Sequence, residues 1–169
     1  YYFIKDPVTN EQINKHLDFS KAHHLVASYD IMASKNIHVK VETYYQQLFN
    51  VPVIPGSSFS FINLQTDWFF NNKLANTGLG RNYGIDLTVE KYLSRGYYFL
   101  FTTSLFNAEY KGGDGIWRNS RYNRNYLFNA LAGKEWPTGK FKQNLYSINV
   151  RCSYQGGDRH SPVDQAATL

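Results

Sequence analysis

Ile37-His38-Val39-Lys40-Val41-Glu42-Thr43-Tyr44-Tyr45-Gln46-Gln47 is the stretch on which the fold turns. Ile37, Val39, Val41, Thr43 and Tyr45 recur at every second position, with His38, Lys40, Glu42, Tyr44 and Gln46 between them. A helix would bring Ile37, Lys40 and Val41 onto one face and mix the two sets, whereas a strand separates them completely. The stretch therefore reads as a two-faced strand. The same alternation extends outward in both directions. Leu25, Ala27, Tyr29 and Ile31 share a face between His23 and Ile31, with Val26 the one exception on the other side. Tyr83, Ile85, Leu87 and Val89 alternate with Asn82, Gly84, Asp86, Thr88 and Glu90. Tyr146, Ile148, Val150, Cys152 and Tyr154 alternate with Ser147, Asn149, Arg151 and Ser153. Two further segments, Tyr97 to Tyr110 and Tyr122 to Trp136, are strands with apolar residues on both faces. Leu127 and Leu131 interrupt the polar side of the second.

The links between these strands alternate in length. Short turns fall at Ser34-Lys35-Asn36, Ser94-Arg95-Gly96 and Pro137-Thr138-Gly139. Long links run from about Leu48 to Gly80 and from Ala108 to Arg121, and a tail follows Gln155. A transmembrane barrel forces such alternation, because its short turns lie on one side of the bilayer and its long loops on the other. Several strands also reach the roughly 9–11 residues that a tilted membrane strand needs. The expectation is an all-β fold: an antiparallel transmembrane β-barrel segment of about six strands in hairpins. Backbone in lipid has to be paired around a closed cylinder, and so few strands with so polar an inner face do not enclose one. The chain is therefore expected to be one segment, residues 1–169, of a larger barrel. On that reading Ile37, Val39, Val41, Tyr45, Tyr83, Ile85, Leu87, Val89, Tyr146, Ile148 and Val150 face lipid.

Composition agrees with this. The chain holds 14 Tyr, 12 Phe and 3 Trp, too many rings for a disordered segment. Tyr92, Tyr97, Tyr98 and Trp136 stand near short turns, and Tyr45, Tyr110, Tyr122 and Tyr154 near long links. That two-ended placement suits interfacial girdles. No apolar run is long enough for a membrane helix, and the single Cys excludes a disulfide framework. The net charge of +5 is spread among acids with no basic stripe, so no nucleic-acid partner is expected.

Several motifs resemble a known family. Tyr44-Tyr45-Gln46-Gln47-Leu48-Phe49-Asn50-Val51-Pro52-Val53 with Pro55-Gly56-Ser57-Ser58 is similar to segments of TonB-dependent outer-membrane receptors of Bacteroidetes-type bacteria. So are Asn76-Thr77-Gly78-Leu79-Gly80-Arg81-Asn82-Tyr83-Gly84, Gly96-Tyr97-Tyr98-Phe99-Leu100 and Asp114-Gly115-Ile116-Trp117-Arg118-Asn119. The resemblance implies a 22-stranded barrel in the outer membrane, closed by a plug and driven by an inner-membrane TonB complex. It implies nutrient uptake without catalysis. Its partners would be outer-membrane lipid and lipopolysaccharide, the plug and remaining strands of the receptor chain, and a surface lipoprotein. No plug and no TonB box is recognisable in the chain, which resembles an internal part of the C-terminal half of the barrel.

Chemical candidates are few. Gly78-Leu79-Gly80-Arg81-Asn82-Tyr83-Gly84 echoes a dinucleotide-binding glycine loop but leads into a strand where that motif requires a helix. His23 and His24, as strand neighbours, point to opposite faces and do not share a metal; His24 and His38 fall on the same polar side. Asp86 and Glu90 lie about 13 Å apart along one strand face, too far for a glycosidase pair. No catalytic site, no cofactor and no metal site is expected. Trp117, Arg118, Arg121 and Arg124 are the loop candidates for ligand contact, the ring by stacking and the guanidinium groups on carboxylate, phosphate or lipopolysaccharide. The alternative from another class is a soluble all-β binding module, taking carbohydrate on exposed aromatics.

Overall fold

The computed structural model describes residues 5, 6, 8–64 and 72–159. Seven strands form one antiparallel sheet: β1 (Lys21–Ser34), β2 (Ile37–Val53), β3 (Ala75–Ser94), β4 (Tyr97–Lys111), β5 (Trp117–Asn119), β6 (Tyr126–Thr138) and β7 (Asn144–Gln155). Their spatial order is β1-β2-β3-β4-β6-β7, with short β5 beside the end of β4. The one helical element among the described residues is a single 3-10 turn, Phe61–Asn63, capped by the Ser60 hydroxyl.

The strands are longer than their alternation foretells. β2 continues six residues past Gln47, through a register shift between Leu48 and Val51 where Asn50 takes a positive φ of 55°. Such a bulge also admits Pro52 within the strand. The long link accordingly begins at Ile54, not Leu48, and β3 enters at Ala75 instead of Gly80. The link after β4 carries β5, an extra strand hidden in a stretch read as loop. Tyr122 to Asn125 belong to that link, so β6 starts at Tyr126. The third turn moves outward as well, with Pro137 and Thr138 still paired to Leu145 and Asn144. Arg95 (φ 54°) and Gly96 (φ 76°) form the two-residue turn between β3 and β4, the left-handed pair that suits a hairpin.

Register carries each side chain to a face. Tyr29, Val41, Leu87 and Thr103 pair in succession across β1 to β4. Further along, Val39, Val89, Phe101, Ala130 and Cys152 align across β2 to β7. All the residues assigned above to the lipid side therefore share one apolar face. The opposite face carries Asp30, Lys40, Thr88 and Thr102, and farther along it Asn129 opposite Ser153. Leu131, which broke the polar pattern of β6, sits opposite Leu100 there, so the two leucines form a small apolar patch.

No second layer covers either face among the described residues. β1 and β7 are exposed along their entire length. The buried apolar residues are Val51, Val53, Leu74 and Tyr110, at the long-loop end of the sheet. The core thus lies where the loops meet the strand ends, not under the sheet.

Candidate functional site

The polar face bears a hollow of about 530 Å³ at the long-loop end. β2 supplies Glu42, Tyr44 and Gln46, β3 supplies Asn82 and Asp86, and Ser120 and Tyr122 overhang from the loop after β5. Alternation puts every one of these strand residues on the same side. The Asn82 amide donates to the Gln46 side-chain oxygen at 2.7 Å, and the Ser104 hydroxyl donates to Asp86 at 2.5 Å. Lys40 pairs with Glu42 at 2.5 Å. The strand residues thus supply polar, largely self-satisfied edges, while Val26, Ile62, Phe106 and Ala108 make much of the remaining wall apolar, so the hollow offers hydroxyl and amide edges beside an apolar surface.

Toward the short turns, His38 Nε2 lies 2.7 Å from Asp30 and its Nδ1 lies 4.0 Å from Glu90. His24 pairs instead with Gln46, eight positions along β2 from His38. The two histidines that share the polar side are thus held far apart. Among the described residues no three His, Cys, Asp or Glu side chains cluster as a metal site.

The two long loops are bound together above the hollow. Gly56 N–H donates to the Gly113 carbonyl, and Asp114 N–H donates to that of Ser57. Gly112 and Gly113 lie so close to the backbone of 54–58 that a side chain at either would collide with it. Arg121 N–H donates to Asn63 Oδ1 at 3.1 Å. Beneath them, fully buried Asn123 donates to Asn107 at 2.6 Å and to Asn119 at 2.7 Å.

The loop residues singled out for ligand contact are engaged inside this assembly. Trp117 pairs with Lys111 and lies under the Arg81 guanidinium, 4.4 Å from the ring centre. Arg118 grips Asp114 with two nitrogens, at 2.9 and 2.7 Å. That grip, with the Ile116 N–H, holds the Asp114 carboxyl below its ordinary range. Arg124 pairs with Asp158 at 2.7 Å, and Arg121 stands 5.2 Å over the Tyr122 ring. All four thus have partners within the protein, and Tyr122 rather than Trp117 reaches the hollow. Asn in a loop ordinarily signals a turn and burial is invisible in a single sequence, so no local pattern announces the asparagine network.

The apolar face ends in two rows of rings. At the long-loop end Tyr45 stacks on Tyr83 (6.5 Å), and Tyr126 stacks on Tyr154 (5.5 Å) beside Phe128. At the short-turn end Trp136 meets Tyr146 at 5.7 Å, with Tyr97 on the strand beside that of Trp136. Three tyrosines expected in the rows lie elsewhere. Tyr98 projects from the polar face over Gly133, Tyr110 is buried in the loop base, and Tyr122 overhangs the hollow on the polar face. No family model, curated protein or solved structure matches the chain.

Proposed function

We propose that the chain is part of the wall of an outer-membrane β-barrel receptor of the TonB-dependent kind, serving nutrient uptake. The observation that carries this reading is the uncovered apolar face bounded at both ends by aromatic rows. Leu25, Tyr29, Ile85, Leu105, Ile148 and Val150 are all more than two-fifths exposed, on a face spanning six strands. A water-soluble sheet has to bury such a face against a second layer. Lipid covers it without one. From Tyr126 to Trp136 is about 33 Å along the strand, or about 23–27 Å at the 35–45° tilt of barrel strands, against an apolar band of about 25 Å.

Closure follows from the edges. β1 and β7 each pair on one side only, and lipid does not tolerate an open edge. The remaining strands of the receptor chain complete the cylinder. Gly84 and Gly133, both on the polar face, mark where that face bends inward. The polar face then lines the lumen and seats the plug, through which the TonB complex acts. The bound pair of long loops forms part of the extracellular mouth, in reach of lipopolysaccharide and a surface lipoprotein. On this reading the wall acts by positioning, with no catalytic step of its own.

Fractionation of the full-length protein with outer membranes, together with migration in detergent gels before and after boiling, tests the reading. A heat-modifiable membrane species is expected. A full-length product that is stable and monomeric in water without detergent would sink it.

A further inference from the structure

The short-turn end of the sheet is basic. Lys35 and Arg95 occupy the first two turns and Lys140 and Lys142 the third, while Lys91 and Lys134 lie three and four residues inside the ends of β3 and β6. Among the described residues none of these six has an acidic partner within ion-pair distance. Lys91 is nonetheless committed: its ammonium donates to Ser94 Oγ at 2.8 Å and to the Tyr92, Ser94 and Tyr97 carbonyls, and lies 3.7 Å over the Tyr97 ring. Lys134 is exposed, pairs with Tyr97 and Ile148 on the apolar face, and stands 5.2 Å from the Trp136 ring centre.

Around Lys134 the apolar face is indented by a groove of about 470 Å³, which that lysine lines. Ala132 and side-chain-free Gly133 form its floor, and Phe99, Trp136, Ile148 and Val150 its walls. Tyr98, which fills Gly133 from the other side of the sheet, closes the bottom. The groove is thus a mostly apolar trough with one cation, Lys134, in its lining, and two more lysines on the turn beyond Trp136.

We infer that this groove binds one anionic phospholipid of the leaflet that meets the short turns, its acyl chain over Ala132 and its phosphate at Lys134, with Lys140 and Lys142 on the turn beyond adding to the local positive potential. The inference rests on the barrel reading, which puts the apolar face in lipid and the short turns on the periplasmic side. Charge complementarity selects the occupant, since basic pockets beside an apolar surface hold anionic head groups. The trough requires an acyl chain, which excludes a free phosphate. Lipopolysaccharide belongs to the leaflet at the other end of the strands.

The test uses the full-length protein, delipidated in detergent and offered dioleoyl phosphatidylglycerol, dioleoyl phosphatidylcholine or sn-glycerol 3-phosphate. Retained lipid is read by native mass spectrometry. The expected result is selective retention of phosphatidylglycerol, no retention of glycerol phosphate, and loss of the selectivity in a Lys134→Gln, Lys140→Gln, Lys142→Gln variant. Each lysine removed should weaken retention on the order of fivefold. Ala132→Trp, which fills the trough and leaves the lysines, should abolish retention, whereas Lys111→Gln at the far end should change nothing. Equal retention of the two lipids, glycerol phosphate binding as well as phosphatidylglycerol, or unaltered selectivity in either groove variant overturns the inference. Boiling-dependent migration of each protein separates the two levels. A heat-modifiable wild type without anionic preference refutes the lipid site alone, while a wild type that never enters membranes refutes the barrel reading with it.

Discussion

Tyr44 lies across Gly84 of the neighbouring strand, its hydroxyl within 2.7 Å of where a Cβ of Gly84 would stand. The same relationship recurs between Tyr98 and Gly133, where the ring itself occupies the vacant position. Both pairs lie on the polar face. A glycine costs strand stability through its entropy and its lack of packing, and an overlying ring restores the packing from across the ladder. Gly84→Val should therefore displace Tyr44 and destabilise the protein by about 1–3 kcal/mol, as overpacking does. Gly84→Ala should show the smaller effect of the same sign. Midpoints of detergent- and urea-induced unfolding check this, and an unchanged midpoint for Gly84→Val would remove the ring-over-glycine account.

The two faces make a directional prediction. Val39 and Leu87 lie on the apolar face, and Thr88 lies on the polar one opposite Lys40 and Thr102. Val39→Arg and Leu87→Arg should each reduce insertion into liposomes, at a cost of about 2–4 kcal/mol near the bilayer midplane. Thr88→Lys should insert normally. In a soluble module the first two would disrupt a packed core with or without lipid, so the lipid dependence of the defect discriminates between the readings.

How far these faces were legible depends on where alternation holds. Ile37 to Tyr45 and Tyr83 to Val89 declare their faces because every second residue changes character, and a one-residue slip would invert them. In β4 the run Phe99-Leu100-Phe101 hides the period. Only the pairing of Leu100 with Leu131 shows that the intervening leucine belongs to the polar side. Beyond Gln47 the bulge at Asn50 resets the register, so the rest of β2 was indistinguishable from a loop. The hollow was half legible: Glu42, Tyr44, Gln46, Asn82 and Asp86 follow from alternation. Ser120 and Tyr122 reach it through a loop whose path is set by the buried Asn123 network, which no local pattern announces.

Lys91 supplies a prediction about the short turns. It is 7% exposed, and its ammonium gathers three carbonyls and a hydroxyl of the Tyr92–Tyr97 turn. Lys91→Met keeps the apolar stem and removes the donors. The orphaned acceptors should cost about 1–3 kcal/mol, concentrated at the turn. Hydrogen exchange at Gly96 and Tyr97 should accelerate, while exchange in β1 and β7 stays as it was. A uniform acceleration would instead mean that the lysine supports the whole sheet.

The last prediction concerns the loop that holds Trp117. Asp114 is tied first by the Arg118 guanidinium and then by the Ile116 N–H, and both favour its charged form, so its pKa falls below the ordinary 3.8. A depressed carboxyl stabilises the fold above its unfolded value and loses that contribution only as pH falls through the lower, folded one. The loop should therefore remain closed at pH 5 and through the ordinary carboxylate range, opening only in stronger acid. Asp114→Asn removes the charge while keeping the size, and should loosen the loop at every pH. Limited proteolysis after Lys111 and Arg118, by a trypsin-like protease near neutrality, reads that loosening. The indole fluorescence of a Trp68→Phe, Trp136→Phe protein that keeps Asp114, followed from pH 6 to pH 2, reads the acid transition at Trp117. A fluorescence change centred above pH 4 would show that another group governs the loop, because Asp114 held by Arg118 stays ionised there.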